Sequence, residues 1–181
     1  MTKINTMKRI KEEYIDITRN PTRNGIYFNI GLRDEDNIFQ WRNTFVGPKD
    51  TSYKAGIFFV DINFPDDYPN SPPEFIFRTP IYHLNVNPIK SDKPGAAPLG
   101  HVFISNSNWW KTETPIIDAL MEIDKLFHKA DPDSPYGLDR VDEFKYNNSL
   151  YEEKIKYFTK KYADPSNLNK EYFESWEFSC P

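Results

Sequence analysis

The first pattern in the chain is helical and covers residues 3–19. Apolar side chains recur there at steps of three and four, which places them on one face of an amphipathic helix: Ile4, Met7, Ile10, Tyr14 and Ile17. Asn20-Pro21 predicts the end of this helix, because the residue before a proline avoids helical backbone angles. Three basic residues off the apolar stripe form either a solvated face or a docking face for a protein partner: Lys8, Arg9 and Lys11.

Four segments further on have the pattern of β-strands. Aromatic and β-branched residues alternate there with polar ones, and turn residues separate the segments: residues 25–32, 38–46, 56–64 and 74–77. In the third segment the apolar side chains from Phe58 to Phe64 share one face, and Asp61 and Asn63 share the other. The short connections favour antiparallel neighbours, so we expect a four-stranded antiparallel meander.

Helical periodicity returns in the second half of the chain. Residues 114–129 carry a broad apolar stripe, and Thr114-Pro115 is a typical helix start. Residues 138–147 and 149–163 predict two further helices. We therefore expect an α+β fold in which the N-terminal helix and the central helix cover the apolar face of the sheet, and two C-terminal helices follow.

Asp164-Pro165-Ser166 predicts a boundary between a core domain, residues 1–163, and a C-terminal tail, residues 164–181. The tail is rich in aromatic residues, which are scarce in disordered segments: Tyr172, Phe173, Trp176 and Phe178. Two interpretations stay open, because such a tail can pack on its own domain or anchor a protein partner.

Composition narrows the classes of function. The net charge of −4 argues against a nucleic-acid-binding surface, and no run approaches the roughly 20 apolar residues of a membrane span. The first residues lack the apolar core of a signal peptide, so we expect an intracellular, cytoplasmic protein. Cys180 is the single cysteine of the sequence. Because it and the three histidines show no metal-binding spacing, and no glycine-rich phosphate loop is present, we expect no cofactor.

A proline-rich stretch precedes the chemically most informative segment. Residues 65–73 hold four prolines in nine positions, which excludes helix and favours a rigid loop. Tyr82-His83-Leu84-Asn85 follows the last predicted strand, and residues 100–105, Gly-His-Val-Phe-Ile-Ser, come after a long polar loop. This arrangement is typical of the rim of an active site, but a nucleophile is missing where one is expected.

Together these motifs resemble those of the ubiquitin-conjugating enzymes over residues 7–163. Val46-Gly47-Pro48 resembles the family's turn after the second strand, residues 64–73 its proline loop, and Tyr82-His83-Leu84-Asn85 its Tyr-His-Pro-Asn motif. Trp110 with Pro115-Ile116 resembles the start of its central helix. The resemblance implies a fold and a chemistry, in which a cysteine thiolate accepts ubiquitin as a thioester and the asparagine donates a hydrogen bond to the developing oxyanion.

Several positions depart from the family pattern. Residues 100–105 resemble the family's Gly-x-Ile-Cys-Leu-Asp, which puts Phe103 at the nucleophile position, or Val102 if the spacing is counted back from the tryptophan. Leu84 replaces the proline of the motif, and the loop of residues 86–99 is longer than the family's short turn. What remains of the resemblance is a degenerate site: His83, Asn85, Phe103 and Ser134.

Other acceptors for an acyl group have less support from the sequence. Ser105 and Ser107 lack a histidine–carboxylate pair placed to activate them, and His101 is one of three scattered histidines. Cys180 could reach the site only if the tail folded across it.

We therefore expect a catalytically inactive relative, similar to the ubiquitin-conjugating enzyme variants, that acts as a binding or scaffold subunit. Its partners would be an active conjugating enzyme, ubiquitin or a large protein assembly. Asn70 and Lys111 lie in the two loops that resemble the family's ligase-docking surface, so we take them as partner-contact candidates. The alternative is an active conjugating enzyme for ubiquitin or a ubiquitin-like modifier that uses a non-standard acceptor such as Cys180.

Overall fold

The computed structural model of the protein describes residues 3–104 and 109–167. Strands fill much of the first half of the described chain and helices much of the second. In chain order the elements are α1 (Lys3–Arg19), β1 (Thr22–Arg23), β2 (Ile26–Tyr27), β3 (Asn29–Leu32), β4 (Gln40–Val46), β5 (Ile57–Asn63), β6 (Glu74–Phe77), α2 (Ile116–His128), α3 (Leu138–Tyr146) and α4 (Asn148–Phe158). A π-helical turn (Thr159–Ala163) extends α4, and a 3-10 turn (Pro165–Asn167) follows.

Strands β3 to β6 form one antiparallel sheet in chain order, which confirms the predicted meander. The predicted first strand is corrected, because residues 25–32 do not form one continuous element. Asn24 (φ 51°) and Gly25 (φ 82°) adopt left-handed backbone angles in a turn between β1 and β2. The chain then leaves this hairpin at Phe28, whose N–H bonds to the carbonyl of Pro21, and β3 starts at the next residue.

Two helices cover the apolar face of the sheet, as the sequence predicts. From α1, the ring of Tyr14 lies 5.2 Å from that of Trp41 on β4. From α2, the ring of Phe127 lies 5.2 Å from Phe58 on β5 and 5.9 Å from Phe77 on β6. Among the described residues, no helix combines the length and the apolar character that a membrane-spanning segment requires.

The predicted stripe of α1 is wrong at its first position, since Ile4 is 80% exposed. The buried face is formed by Thr6, Ile10, Glu13 and Ile17. Two of these positions are polar, and each is buried because its side chain has hydrogen-bond partners, as the hydroxyl of Thr6 does with the carbonyl of Tyr68 at 2.8 Å.

Glu13 connects three parts of the molecule through one carboxylate. It accepts a hydrogen bond from the hydroxyl of Tyr68 in the proline loop and pairs with the guanidinium of Arg9 at 2.9 Å. It also accepts from the backbone N–H of Ile116, the first residue of α2, at 3.2 Å. The carboxylate thereby caps an otherwise unsatisfied helix terminus and fixes α1, the proline loop and α2 relative to one another.

Asp61 of β5 alternates with the apolar side chains and lies on the opposite face of the sheet from them. This carboxylate is fully buried, and the Nε atoms of three arginines bind it at 2.6 to 3.1 Å: Arg33, Arg42 and Arg78. A carboxylate so far from water requires compensating charge and hydrogen bonds, which the guanidinium groups supply.

Candidate active-site region

The segment that resembles the catalytic motif is buried along its whole length. Residues 81–87 have little contact with solvent, and Leu84, in place of the family's proline, is fully buried. The backbone N–H of Leu84 donates to the hydroxyl of Tyr151 at 3.1 Å, and its carbonyl accepts from the N–H of Tyr136 at 2.8 Å. Proline has no N–H, so the hydrogen bond from Leu84 to Tyr151 of α4 exists only because leucine replaces the proline of the family motif.

His83 is a neutral, fully bonded side chain. Its Nδ1 accepts from the backbone N–H of Asn85 at 3.0 Å, which leaves Nε2 as the donor to the carbonyl of Leu126 at 2.9 Å. Burial lowers the pKa of His83 from 6.5 to about 4, against the opposing hydrogen bond to Leu126 and with a further contribution from Arg140. One ring nitrogen thus stabilises the loop itself, and the other fixes the loop to α2.

Asn85 uses every polar atom of its side chain within the fold. Its Nδ2 donates to the carbonyls of Asp131 and Ser134 at 2.8 and 2.9 Å, and its Oδ1 accepts from the N–H of Asp131 at 2.9 Å. The residue is fully buried. These three bonds join the motif to the turn between α2 and α3, and both amide hydrogens already have acceptors. The contact between Asn85 and Ser134 therefore runs through the backbone of the serine.

The segment after the long loop lies against the motif as an extra strand-like stretch. Val102 bridges Val86, and the N–H of Phe103 donates to the carbonyl of Asn85 at 2.8 Å. The side chain of Val102 is 5% exposed, whereas that of Phe103 is 47% exposed. Of the two positions that the sequence leaves open, only Phe103 presents its side chain to solvent beside Asn85.

Sequence reasoning did not identify Tyr136, which completes this region. Its ring lies edge-on to Phe103 with 6.2 Å between the centroids, and its hydroxyl is hydrogen-bonded to Nδ1 of His101. Burial lowers the pKa of His101, and the carboxylate of Glu74 opposes that shift from 3.9 Å. The only signal for Tyr136 in the sequence was an aromatic residue just after Ser134-Pro135, which does not reveal a contact to a residue 35 positions earlier.

The predicted partner-contact residues differ in their exposure and their contacts. Asn70 and Lys111 are exposed, and they lie near each other because the indole N–H of Trp110 donates to the carbonyl of Pro69 at 2.8 Å. Lys8 and Lys11 are also exposed on α1. Arg9 differs, because its guanidinium bonds to Glu13 and to the carbonyl of Thr114. The remaining candidates lie outside the described residues, as do the alternative acceptors in the loop and tail: Tyr172, Phe173, Trp176, Phe178, Ser105, Ser107 and Cys180.

Within residues 3–104 and 109–167, no cluster of three or more histidine, aspartate or glutamate side chains has the arrangement of a metal site. The region is instead a closely bonded loop system with one exposed aromatic position. Phe103 is exposed and available to a partner, whereas the polar side chains of His83 and Asn85 are hydrogen-bonded within the fold.

Comparison with known proteins assigns the fold. The chain is similar to the crystal structure of a Plasmodium yoelii protein provisionally identified as a ubiquitin conjugating enzyme, with a TM-score of 0.72 and 26% sequence identity over 87% of this chain and 95% of that one. The family model of the ubiquitin-conjugating enzyme matches residues 9–159, which include every described helix and strand from β1 to α4 and most of α1. The chain therefore belongs to the ubiquitin-conjugating enzyme family.

Proposed function

We propose that this protein is a non-catalytic member of the ubiquitin-conjugating enzyme family that works by binding other proteins. One observation carries the proposal. The exposed position beside Asn85 holds the benzyl ring of Phe103, and a hydrocarbon ring has no atom that can form a thioester. The single cysteine of the sequence, Cys180, is 77 positions further along.

The neighbouring polar groups support the same interpretation. An oxyanion is stabilised by a donor that is available to it, and both amide hydrogens of Asn85 are donated to backbone carbonyls. His83 is buried and bonded at both ring nitrogens, so it maintains the loop and faces no reacting group. With the side chains of His83 and Asn85 hydrogen-bonded within the fold, the protein is suited to holding a partner and not to transferring an acyl group.

The exposed residues indicate a protein as the ligand. Phe103 offers an apolar ring at the rim, and Leu138 at the start of α3, two residues after Tyr136, is 78% exposed, so apolar surface is available near the degenerate site. Asn70 and Lys111 offer a second surface between the proline loop and the start of α2. We assign the protein to the interior of the cell, as a cofactor of ubiquitin conjugation or a subunit of a larger assembly.

A thioester assay tests the lack of chemistry. The protein is incubated with ubiquitin, ubiquitin-activating enzyme and ATP, and the products are separated on a gel without reductant. We expect no band that reductant removes, while an active conjugating enzyme treated in parallel gives one. A reducible ubiquitin adduct that disappears in Cys180→Ser would overturn the proposal and establish the tail cysteine as the acceptor.

Affinity purification from the native cell tests the binding role. The Phe103→Asp and Lys111→Glu variants each change one exposed surface, and Lys90→Glu in the loop of residues 86–99 is the matched control. We expect the partner set of the unmodified protein to include ubiquitin or an enzyme of its conjugation, and one of the two surface variants to lose it. Retention of all partners by both variants would contradict the assignment of these surfaces.

A further inference from the structure

Two adjoining cavities form a groove between helix α4 and the loop of residues 49–56. Their volumes are about 500 and 220 Å³, and both are lined by Ser52, Lys54 and Lys156. We call this continuous depression the α4 groove. The larger cavity is also lined by Tyr53, Phe127 and Ile155, which belong to the hydrophobic core and give the groove an apolar floor.

The loop that forms one wall is held in place by close backbone packing. The N–H of Gly47 donates to the carbonyl of Gly56 at 2.8 Å, which closes the loop at its base. A Cβ atom on Gly47 would lie 1.8 Å from the carbonyl oxygen of Tyr53, so only glycine fits there. The hydroxyl of Tyr53 then bonds to the carbonyl of Tyr82 at 2.8 Å and ties the loop to the core. The groove is therefore preformed, which lowers the entropic cost of filling it.

The rim of the groove is positively charged. Four exposed lysines line it, and Lys160 interacts electrostatically with Asp164: Lys49, Lys54, Lys156 and Lys160. Of the carboxylates that line it, Asp50 lies 3.7 Å from Nδ1 of His128, and Asp164 accepts two hydrogen bonds from Ser166 at 2.6 and 2.8 Å. Glu152 is the third. An apolar floor under a lysine rim fits a segment that carries aromatic and acidic residues.

The chain itself contains such a segment. Residues 168–181 include four aromatic side chains and three glutamates spaced three residues apart, Glu171, Glu174 and Glu177. The described chain ends at Asn167, two residues after Pro165, which lines the smaller cavity. Fourteen residues can span at most about 45 Å, so the segment is attached at the groove and long enough to follow it.

We propose that residues 168–181 dock in the α4 groove of the same molecule, with their glutamates toward the lysine rim and an aromatic side chain, such as Trp176, on the apolar floor. Because the segment is attached beside the groove, its effective concentration there is on the order of millimolar. A free partner must be present at a higher concentration, or bind more tightly, to replace it. The docked tail would thus cover the groove until a partner displaces it. This inference does not depend on whether the family member is catalytic.

A nitroxide spin label on Cys180 tests the proposal in the full chain without a new cysteine. Amide peaks of the ¹⁵N-labelled protein that lie close to the label lose intensity. We expect that loss at Ser52, Gly56 and Thr159 in the groove walls, and recovery of the peaks when the label is reduced. Full intensity in the groove, or loss confined to another surface, would overturn the proposal.

Two comparisons make the result specific. In a mixture of ¹⁵N-labelled protein without the nitroxide and unlabelled protein with it, broadening of the groove peaks would mean that the tail docks on a second copy, and this would also overturn docking within one molecule. In the double variant Lys54→Glu and Lys156→Glu we expect the groove peaks to regain their intensity. The matched control, Lys90→Glu with Lys93→Glu, changes the same charge on the exposed loop of residues 86–99 and should leave the intensity loss unchanged.

Discussion

At the scale of single residues, the polar side-chain atoms of His83 and Asn85 form hydrogen bonds within the fold and not with solvent. Both side chains are almost completely buried, and each polar atom has a partner within the fold. Residues that resemble catalytic ones can therefore be maintained for stability alone, because removing either would leave buried groups unsatisfied.

The buried state of His83 predicts a pH-dependent stability. Its pKa is about 4 in the folded protein against 6.5 for an unperturbed histidine, so the unfolded chain binds the proton more readily. The neutral, buried His83 therefore contributes about 3 kcal/mol to the free energy of unfolding above pH 6.5, and this contribution is lost as the pH falls toward 4. Urea unfolding of wild type and His83→Gln between pH 4 and 7 should show a flatter pH dependence in the variant. An unchanged pH dependence in His83→Gln would contradict the prediction.

The exposures of Val102 and Phe103 predict different reactivities for introduced thiols. In a Cys180→Ser background, Phe103→Cys should react with iodoacetamide readily, since that side chain is 47% exposed, and Val102→Cys should react slowly, since that one is 5% exposed. Mass spectrometry during the reaction measures both rates. Equal rates, or faster modification at position 102, would contradict the assignment of position 103 as the accessible one.

At the scale of elements, Glu13 shows how one carboxylate orients two helices and a loop. Its bonds to Arg9, Tyr68 and Ile116 come from α1, the proline loop and α2. Burial raises the pKa of Glu13 against the opposing bonds from Tyr68 and Arg9. The arrangement fixes the surfaces on which Asn70 and Lys111 lie, because these residues are close in sequence to the connected segments.

Loss of this carboxylate should be costly. We expect Glu13→Ala to lower the free energy of unfolding by roughly 3 kcal/mol, because it leaves a buried hydroxyl, a guanidinium and a helix terminus without their partner. Chemical denaturation followed by circular dichroism measures the change. Glu12→Ala on the same helix removes an exposed pair with Lys8 at 3.8 Å and should cost less than about 0.5 kcal/mol. Similar losses in the two variants would refute a special role for Glu13.

At the scale of the whole molecule, aromatic contacts connect most of the described chain. One series runs from Tyr14 through Trp41 and Phe64 to Tyr68, with ring centroids 4.6 to 5.2 Å apart. At the other end of the molecule, Tyr82 lies 5.5 Å from both Tyr151 and Phe158 of α4. The C-terminal helices are therefore packed on the same core as the sheet.

This continuity predicts a single cooperative unfolding transition. Tryptophan fluorescence reports on residues packed against the sheet, such as Trp41, and far-ultraviolet circular dichroism reports mainly on the helices. Their urea midpoints should coincide, because the core does not divide into separate parts. Tyr82→Ala should lower both midpoints together. An earlier loss of the helical signal would mean that α3 and α4 unfold on their own.

The sequence predicted the elements better than their exact packing. The meander, the central helix and the two C-terminal helices follow from periodicity, which reflects the solvent on one side of each element. Ile4 was misplaced, because the buried face of α1 includes Thr6 and Glu13, whose burial depends on partners distant in sequence. The burial of Asp61 could not be predicted for the same reason, since its three arginines come from β4 and from the residues that directly follow β3 and β6.

What the sequence by itself determined was the family, the order of the elements and the absence of a cysteine near the motif, since each is a property of residue identity and spacing. Only the tertiary structure decided that Phe103 faces solvent while Val102 does not, and that the amide hydrogens of Asn85 are bonded to Asp131 and Ser134. The physical reason is that exposure and hydrogen bonding depend on groups brought together from distant parts of the chain, and local periodicity carries no information about those groups.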